Sequence, residues 1–323
     1  MAYSPWQTLL CPCRCILDAA KAFDRVDHTV LLSHLAQIGV VGTSLEWFRS
    51  YLTGRRIRVK VQGSLSELLP ITAGVPQGSI LGPLLFLIYF KDIPSVVDAV
   101  CTLFADDTLL YRCDCAGSRK SPCCSLASDL VPLTSWADSS KVKFNALKSV
   151  ELCLGAHPSS ELVNLNAERI PRQSSTLHLG VVLSHDLKWK EHISRILQRA
   201  SGPVYLCKRL AYQHSLPSGV LRKFFLAFVR PRLEYCSAVW GGASPCLLSR
   251  LEKLQLQVAR AIARPRMPVA PSQLLASLGL PTLAWRRRIR RLVIFFKLHI
   301  GQGPPQLRKM LSNPASLRST HAL

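Results

Sequence analysis

The chain has 323 residues, with 41 lysines and arginines against 19 aspartates and glutamates, a net charge of +22. Its length accommodates two domains, or one with an appended region, either able to bury a core; with ordinary apolar content and no internal repeat, a repeat architecture is excluded. The longest apolar run, Ile80 to Phe90, contains Gly82 and Pro83 and is shorter than the roughly 20 residues that span a bilayer.

The charge is unevenly placed. Residues 1–160 carry 15 basic and 13 acidic side chains, and residues 161–323 carry 26 and 6. This one-sided surplus favours a polyanionic partner such as nucleic acid, against the alternative of a surface kept solvated by charge. Twelve cysteines are present. Arg14 interrupts the apolar residues near the N-terminus, so no secretory signal is expected. The spacings of Cys11, Cys13 and Cys15, of Cys113 and Cys115, and of Cys123 and Cys124 lack the paired C-x-x-C knuckles of a structural zinc site. They read as free thiols in a reducing compartment, with a zinc site as the lesser alternative.

In chain order, Cys15-Ile16-Leu17 reads as a short buried strand ending at Asp18. Thr29 to Ile38 has helical apolar spacing and stops at Gly39, and Leu45 to Leu52 reads as a second helix. Arg56 to Val61 alternates strictly. It predicts one strand with Ile57, Val59 and Val61 on one face and Arg56, Arg58 and Lys60 on the other, either solvated or tracking phosphates. Gly74 to Gly78 is a backbone-permissive loop, and Ser79 can cap a helix from Ile80 to Phe90. Val100 to Phe104 and Thr108 to Tyr111 flank Ala105-Asp106-Asp107, which predicts a hairpin with acids at its tip. Residues 112–135, with small residues and two prolines, read as irregular. Val142 to Phe144 and Ser149 to Leu154 predict a strand–turn–strand around Lys148, and Leu179 to Leu183 a further strand.

Beyond about residue 190 the pattern is helical. Leu247, Leu251, Leu254, Val258 and Ala261 form an apolar stripe, and Arg250, Lys253, Gln257, Arg260 and Arg264 a mostly basic one. That helix could present cations to phosphate or simply be amphipathic and solvated. In the denser run of Arg286, Arg287, Arg288, Arg290 and Arg291, phosphate contact is the stronger expectation.

One chemistry accounts for the acids. Phosphoryl transfer to a sugar hydroxyl asks mainly for two divalent ions about 4 Å apart, held by hard oxygen ligands. Asp106 and Asp107 supply two carboxylates at the tip and Asp18 a third. Taken singly, a tip Asp-Asp pair is an ordinary solvated turn and Asp18 an ordinary N-cap; Asp24 and Asp27 read as residues that cap and hold the turn.

The ordered set carries a resemblance. Ile16-Leu17-Asp18-Ala19-Ala20-Lys21-Ala22-Phe23-Asp24-Arg25-Val26-Asp27-His28 resembles the first palm motif of LINE-type (jockey-like, non-LTR) retrotransposon reverse transcriptases. Gly74-Val75-Pro76-Gln77-Gly78-Ser79-Ile80-Leu81-Gly82-Pro83-Leu84-Leu85-Phe86 resembles the second, and Phe104-Ala105-Asp106-Asp107 the third. Weaker similarity continues to about residue 290, through Leu179-Gly180-Val181, Glu234-Tyr235 and Val239-Trp240.

The resemblance implies an α+β palm, an antiparallel sheet backed by helices, over residues 1–185, and a helical basic thumb-like region over residues 186–323. It implies an RNA-directed DNA polymerase that joins dNTPs to a primer 3′-hydroxyl by two-metal transfer, on an RNA template with a DNA primer. Asp18, Asp106 and Asp107 would hold two Mg2+ ions, with Mn2+ as a substitute. Phe23 would meet the incoming sugar, unless it is a plain core residue, and Gln77 and Gly78 would line the nucleotide pocket. Lys148 would be a general acid toward pyrophosphate, unless it is a solvated surface lysine. Asn145-Ala146-Leu147-Lys148-Ser149 departs from the family's Asn-Pro-x-Lys-Thr, and only 17 residues precede Asp18. The fingers are therefore expected to be largely absent and the chain N-terminally truncated. The alternative is a catalytically dead remnant that only binds nucleic acid. Nuclear or cytoplasmic residence is expected from the element's life cycle, and no membrane partner from the lack of a secretion signal or spanning segment.

Overall fold

The computed structural model describes residues 13–112, 122–154 and 163–311. Internal packing divides the chain into two units: Met1–His178 with Ser184–Leu187, and Leu179–Leu183 with Lys188–Leu323.

The first unit is built on a four-stranded antiparallel sheet. Strand β1 (Cys13–Ala19) lies between β7 (Asp107–Arg112) and β8 (Phe144–Cys153), and β6 (Val100–Phe104) pairs with the free edge of β7. Alternation along β1 sets its two faces. Cys13, Cys15, Leu17 and Ala19 are buried, while Arg14, Ile16 and Asp18 point to the other, half-open face. The buried face packs on helices α3 (Leu81–Phe90) and α5 (Pro122–Ser139) through Leu85, Phe86, Phe90, Leu126, Leu130 and Leu133. Helices α1 (His28–Gln37), α2 (Thr43–Leu52) and the short α4 (Ile93–Val96) complete the layer. Asp27 caps α1: its Oδ1 accepts the N–H groups of Thr29 and Val30, each at 3.0 Å. Ser79 Oγ accepts the Gly82 N–H at 2.9 Å in the first turn of α3.

Three expectations are corrected. Residues 122–139 form α5, not irregular chain. Pro122 sits at the helix start, where the missing N–H costs nothing, and Pro132 is tolerated because burial of Leu126, Leu130, Leu133 and Ala137 outweighs one lost hydrogen bond. Cys113 and Cys115 lie outside the described residues. The single basic strand is instead two short ribbons: β2 (Arg56–Ile57) pairs with β5 (Leu69–Pro70), and β3 (Lys60–Val61) with β4 (Ser64–Leu65). Ile57, Val59 and Val61 are exposed, so the apolar face that alternation predicted has nothing to pack on. Leu179, expected to open a strand, takes a left-handed conformation (φ 46°), and the strand there runs Val181–Ser184. Short β9 (Asn164–Leu165), β10 (Glu168–Arg169) and β11 (Ser175–His178) follow β8 in the first unit.

The second unit is helical. Helices α6 (Lys190–Tyr212) and α10 (Pro245–Ala263) bury Ile193, Ile196, Ala200 and Val204 with Leu251, Val258 and Ile262. Between them run α7 (Ser218–Phe224), a π-helical turn at Phe225–Val229, α8 (Arg230–Glu234) and α9 (Ser237–Trp240), with Phe225, Leu233 and Trp240 in the same core. Helices α11 (Pro271–Ser277), α12 (Leu283–His299) and α13 (Pro305–Leu311) end the described chain. Among the described residues no helix is long and apolar enough to cross a membrane.

Candidate active site

The sheet register brings the predicted acids together. Asp18 on β1 is the direct cross-strand partner of Asp107 on β7, and on its other side it faces Asn145 on β8. Cross-strand partners present their side chains to one face, here the half-open one. Asp106 is exposed in the β6–β7 turn, which Ala105 closes with a left-handed φ of 51°. Burial, with Asp106 and Asp18 close by, raises the Asp107 carboxyl above the ordinary carboxylate range, and His178 opposes the shift. The carboxylates do not close into a compact knot. Among the described residues, the one group of three or more acid, histidine or cysteine side chains with all ligand atoms within 4.8 Å of one another lies elsewhere in this unit. Like charges this near repel, and hard oxygens on one open face are the donor set a divalent cation takes.

Strand β8 changes register opposite Ile16 and Asp18. Within that irregularity, buried Ser149 accepts the Asp18 backbone N–H on its Oγ at 3.1 Å and donates to the Asn145 carbonyl at 2.7 Å. Asn145 Oδ1 accepts the Lys148 N–H at 3.1 Å, and Lys148 itself is exposed. The segment Asn145–Ser149 is thus a bulge that holds Asp18.

The first two motifs interlock through backbone. Gly74 N–H donates to Val26 O (2.8 Å) and Val75 N–H to Phe23 O (2.9 Å). Gly74 is obligatory: its φ is +92°, and a Cβ there would lie 2.9 Å from Asp24 O. Phe23 stacks on Phe86 with centroids 4.2 Å apart and planes 11° from parallel, remaining partly exposed. Gln77 Nε2 donates to Asp24 Oδ1 at 2.8 Å, and Gly78 has a φ of +82°. Sequence reasoning missed His178, whose pKa burial lowers while Asp107 pulls the other way, and Ser149; neither has a local pattern to reveal it.

The basic residues divide. Arg56, Arg58 and Lys60 in the first unit, and Arg250, Lys253, Arg260, Arg288 and Arg291 in the second, are exposed. Four others make internal bonds, and for the buried Arg287 this corrects the expectation that it meets phosphate. Arg287 is buried and bonds Glu252 at 3.1 Å, and Arg286 and Arg290 both bond the buried Glu234. Arg264 donates to the carbonyls of Ala211 and Leu216 at 3.1 and 3.0 Å, closing the end of α6. Of the four, Arg287 is buried away from any ligand, while Arg264, Arg286 and Arg290 keep donors beyond these bonds. Arg195, Arg199 and Arg232, which the sequence pattern did not single out, line a cavity of about 510 Å3 in the second unit with Tyr235.

Residues 7–183 match the family model described as reverse transcriptase (RNA-dependent DNA polymerase). The chain is 30% identical over 257 residues to the RNA-directed DNA polymerase from mobile element jockey of Drosophila melanogaster, covering 76% of this chain and 28% of that protein. The Drosophila funebris counterpart is 31% identical over 260 residues, at 77% and 28%. The chain therefore spans just over a quarter of the length of these relatives. A solved telomerase from Candida tropicalis, in complex with a telomeric RNA fragment, overlaps 85% of this chain and 50% of its own at 12% identity and a TM-score of 0.42.

Proposed function

Because the chain belongs to the reverse transcriptase (RNA-dependent DNA polymerase) family, we propose that it is the palm and adjoining basic region of a non-LTR retrotransposon polymerase, which copies RNA into DNA. The observation that carries this reading is the pairing of Asp18 with Asp107 on one open face of the sheet, with Asp106 at the adjoining turn.

These three acids fit two divalent ions, Mg2+ or in its place Mn2+. Such ions, when bound, activate the primer 3′-hydroxyl and stabilise the leaving pyrophosphate. The chain's own residues do the rest. Asp18 and Asp106 hold the ligand oxygens, and Asp107 sits beside the primer terminus. The Ser149 bond fixes the Asp18 backbone in register. Phe23, braced by Phe86, presents a flat ring that a 2′-hydroxyl would strike, which selects deoxynucleotides. Gln77 and Gly78 stand on a loop bonded to the Phe23 turn, where they can line the nucleotide pocket. Exposed Lys148 can give a proton to pyrophosphate. The exposed cations Arg56, Arg58, Lys60, Arg250, Lys253, Arg260, Arg288 and Arg291 supply phosphate contacts for an RNA template and DNA primer.

Primer extension on an RNA template, with Mg2+ and dNTPs, tests the proposal. Incorporation that disappears in Asp106→Asn supports it. Tight, salt-sensitive RNA binding without any extension would replace it with the reading of a remnant that only binds.

A further inference from the structure

On the buried side of the palm sheet, three cysteines distant in sequence meet. Cys13 begins β1, Cys153 ends β8 as its direct cross-strand partner, and Cys123 lies in the first turn of α5. Cys13 Sγ is 3.5 Å from Cys153 Sγ, and Cys123 Sγ is 3.6 Å from Cys153 Sγ. Glu151 adds a carboxylate: its Oε1 stands 3.5 Å from Cys13 Sγ and 3.4 Å from Cys153 Sγ. These four ligand atoms all lie within 4.8 Å of one another.

We propose that Cys13, Cys123, Cys153 and Glu151 form a site for a thiophilic divalent cation, zinc above all. Three features carry this. First, tetrahedral zinc with Zn–S of about 2.3 Å sets its sulfurs roughly 3.8 Å apart, within tenths of an ångström of the two distances from Cys153. Second, Glu151 is 1% exposed, and a buried carboxylate among thiols is a hard-to-solvate donor that a cation stabilises. Third, most of the charge is offset: three thiolates and a carboxylate carry four negative charges, zinc neutralises two, and Arg172, 2.7 Å from Glu151 Oε1, a third, leaving one. Loading sends the thiol protons to solvent. Soft sulfur ligands separate this site from the hard oxygens of Asp18, Asp106 and Asp107 on the opposite face.

The cation would clamp the start of α5 to β1 and β8, and so fix the strand that carries Asp18. A disulfide is the competing use of these thiols, but it joins two of the three and leaves the third thiol and the buried Glu151 carboxylate without a role.

The test uses the full chain, purified under reducing conditions without chelator. Elemental analysis is expected to find one zinc per chain. Exchange for Co2+ should give the intense visible bands and sulfur-to-cobalt charge transfer of a tetrahedral thiolate site. Cys123→Ser and Cys153→Ser should lose the metal, while Cys246→Ser, exposed on α10, and Asp18→Asn should keep it. The native cobalt spectrum is decisive should the serine variants fail to fold. A reduced chain with neither bound zinc nor thiolate cobalt bands overturns the proposal, as does zinc retained by both serine variants, or a disulfide from Cys153 to Cys13 or Cys123 in the metal-loaded protein.

Discussion

Ser149 Oγ receives the backbone N–H of Asp18 at 3.1 Å, across a change of register between strands β1 and β8. A side chain in the segment that departs from the family's Asn-Pro-x-Lys-Thr therefore positions the residue on which the acid cluster depends. Ser149→Ala leaves the Asp18 N–H without its hydroxyl acceptor, a loss of about 1–3 kcal/mol. The denaturation midpoint should fall accordingly, and extension should fall further than stability. Ser149→Thr, which keeps the hydroxyl, should restore both. Equal loss in Thr and Ala would show that packing, not the hydrogen bond, matters.

Asp107 is held protonated more readily in the fold than in the unfolded chain, chiefly by burial and then by Asp106. A carboxyl with a raised folded pKa favours folding most at low pH, and that contribution is lost as pH rises through the folded value. Asp107→Asn should therefore raise the urea midpoint at pH 7 and leave it near wild type below pH 4, while extension drops by on the order of a hundredfold. A lower midpoint at pH 7 would contradict the charge argument.

Asp27 titrates with the opposite sign. Burial works against its charge, but Lys141 at 2.6 Å and the two N–H groups of α1 outweigh burial and lower its pKa. Its stabilisation is present above the unfolded pKa and disappears as pH falls through the lower folded value. Lys141→Met should flatten the acid limb of stability below about pH 4, read by urea unfolding at a series of pH values.

The arginines of α12 separate into two kinds. Glu234→Gln breaks the bonds to Arg286 and Arg290 and should cost about 2–3 kcal/mol, below the roughly 3–5 of a fully buried pair, because the Arg290 side chain is 41% exposed. Arg288→Ala and Arg291→Ala should leave stability within about 0.5 kcal/mol and each reduce the salt slope of RNA binding by about one. Arg287→Ala should do the reverse. Unchanged salt slopes in the two exposed variants would remove them from the nucleic-acid surface.

Much of the first unit is legible in sequence because its signals are local: β1 alternates, the Asp106–Asp107 tip sits between two β-prone runs, and Asp27 precedes an apolar helical pattern. Two kinds of feature are not. Helix α5 is hidden by Pro122 and Pro132, whose local cost is overridden by tertiary burial of Leu126, Leu130 and Leu133. The Arg56–Val61 pattern errs the other way, since alternation alone does not supply a core for Ile57 and Val59. At the site, the acids announce themselves, whereas Ser149, His178 and the Cys13–Cys123–Cys153 meeting depend on strand register. Likewise, a run of arginines reads as a phosphate surface until its carboxylate partners, Glu234 and Glu252, are seen.

The central claim is that Asp18, Asp106 and Asp107 together hold divalent cations. Titration of Mn2+ into the chain with a primer–template and a non-reacting dNTP analogue, followed by electron paramagnetic resonance, measures this directly. Wild type is predicted to bind two ions tightly, with Asp18→Asn and Asp106→Asn each weakening the uptake by at least about tenfold. Equal Mn2+ affinity and stoichiometry in wild type and both variants would contradict the account.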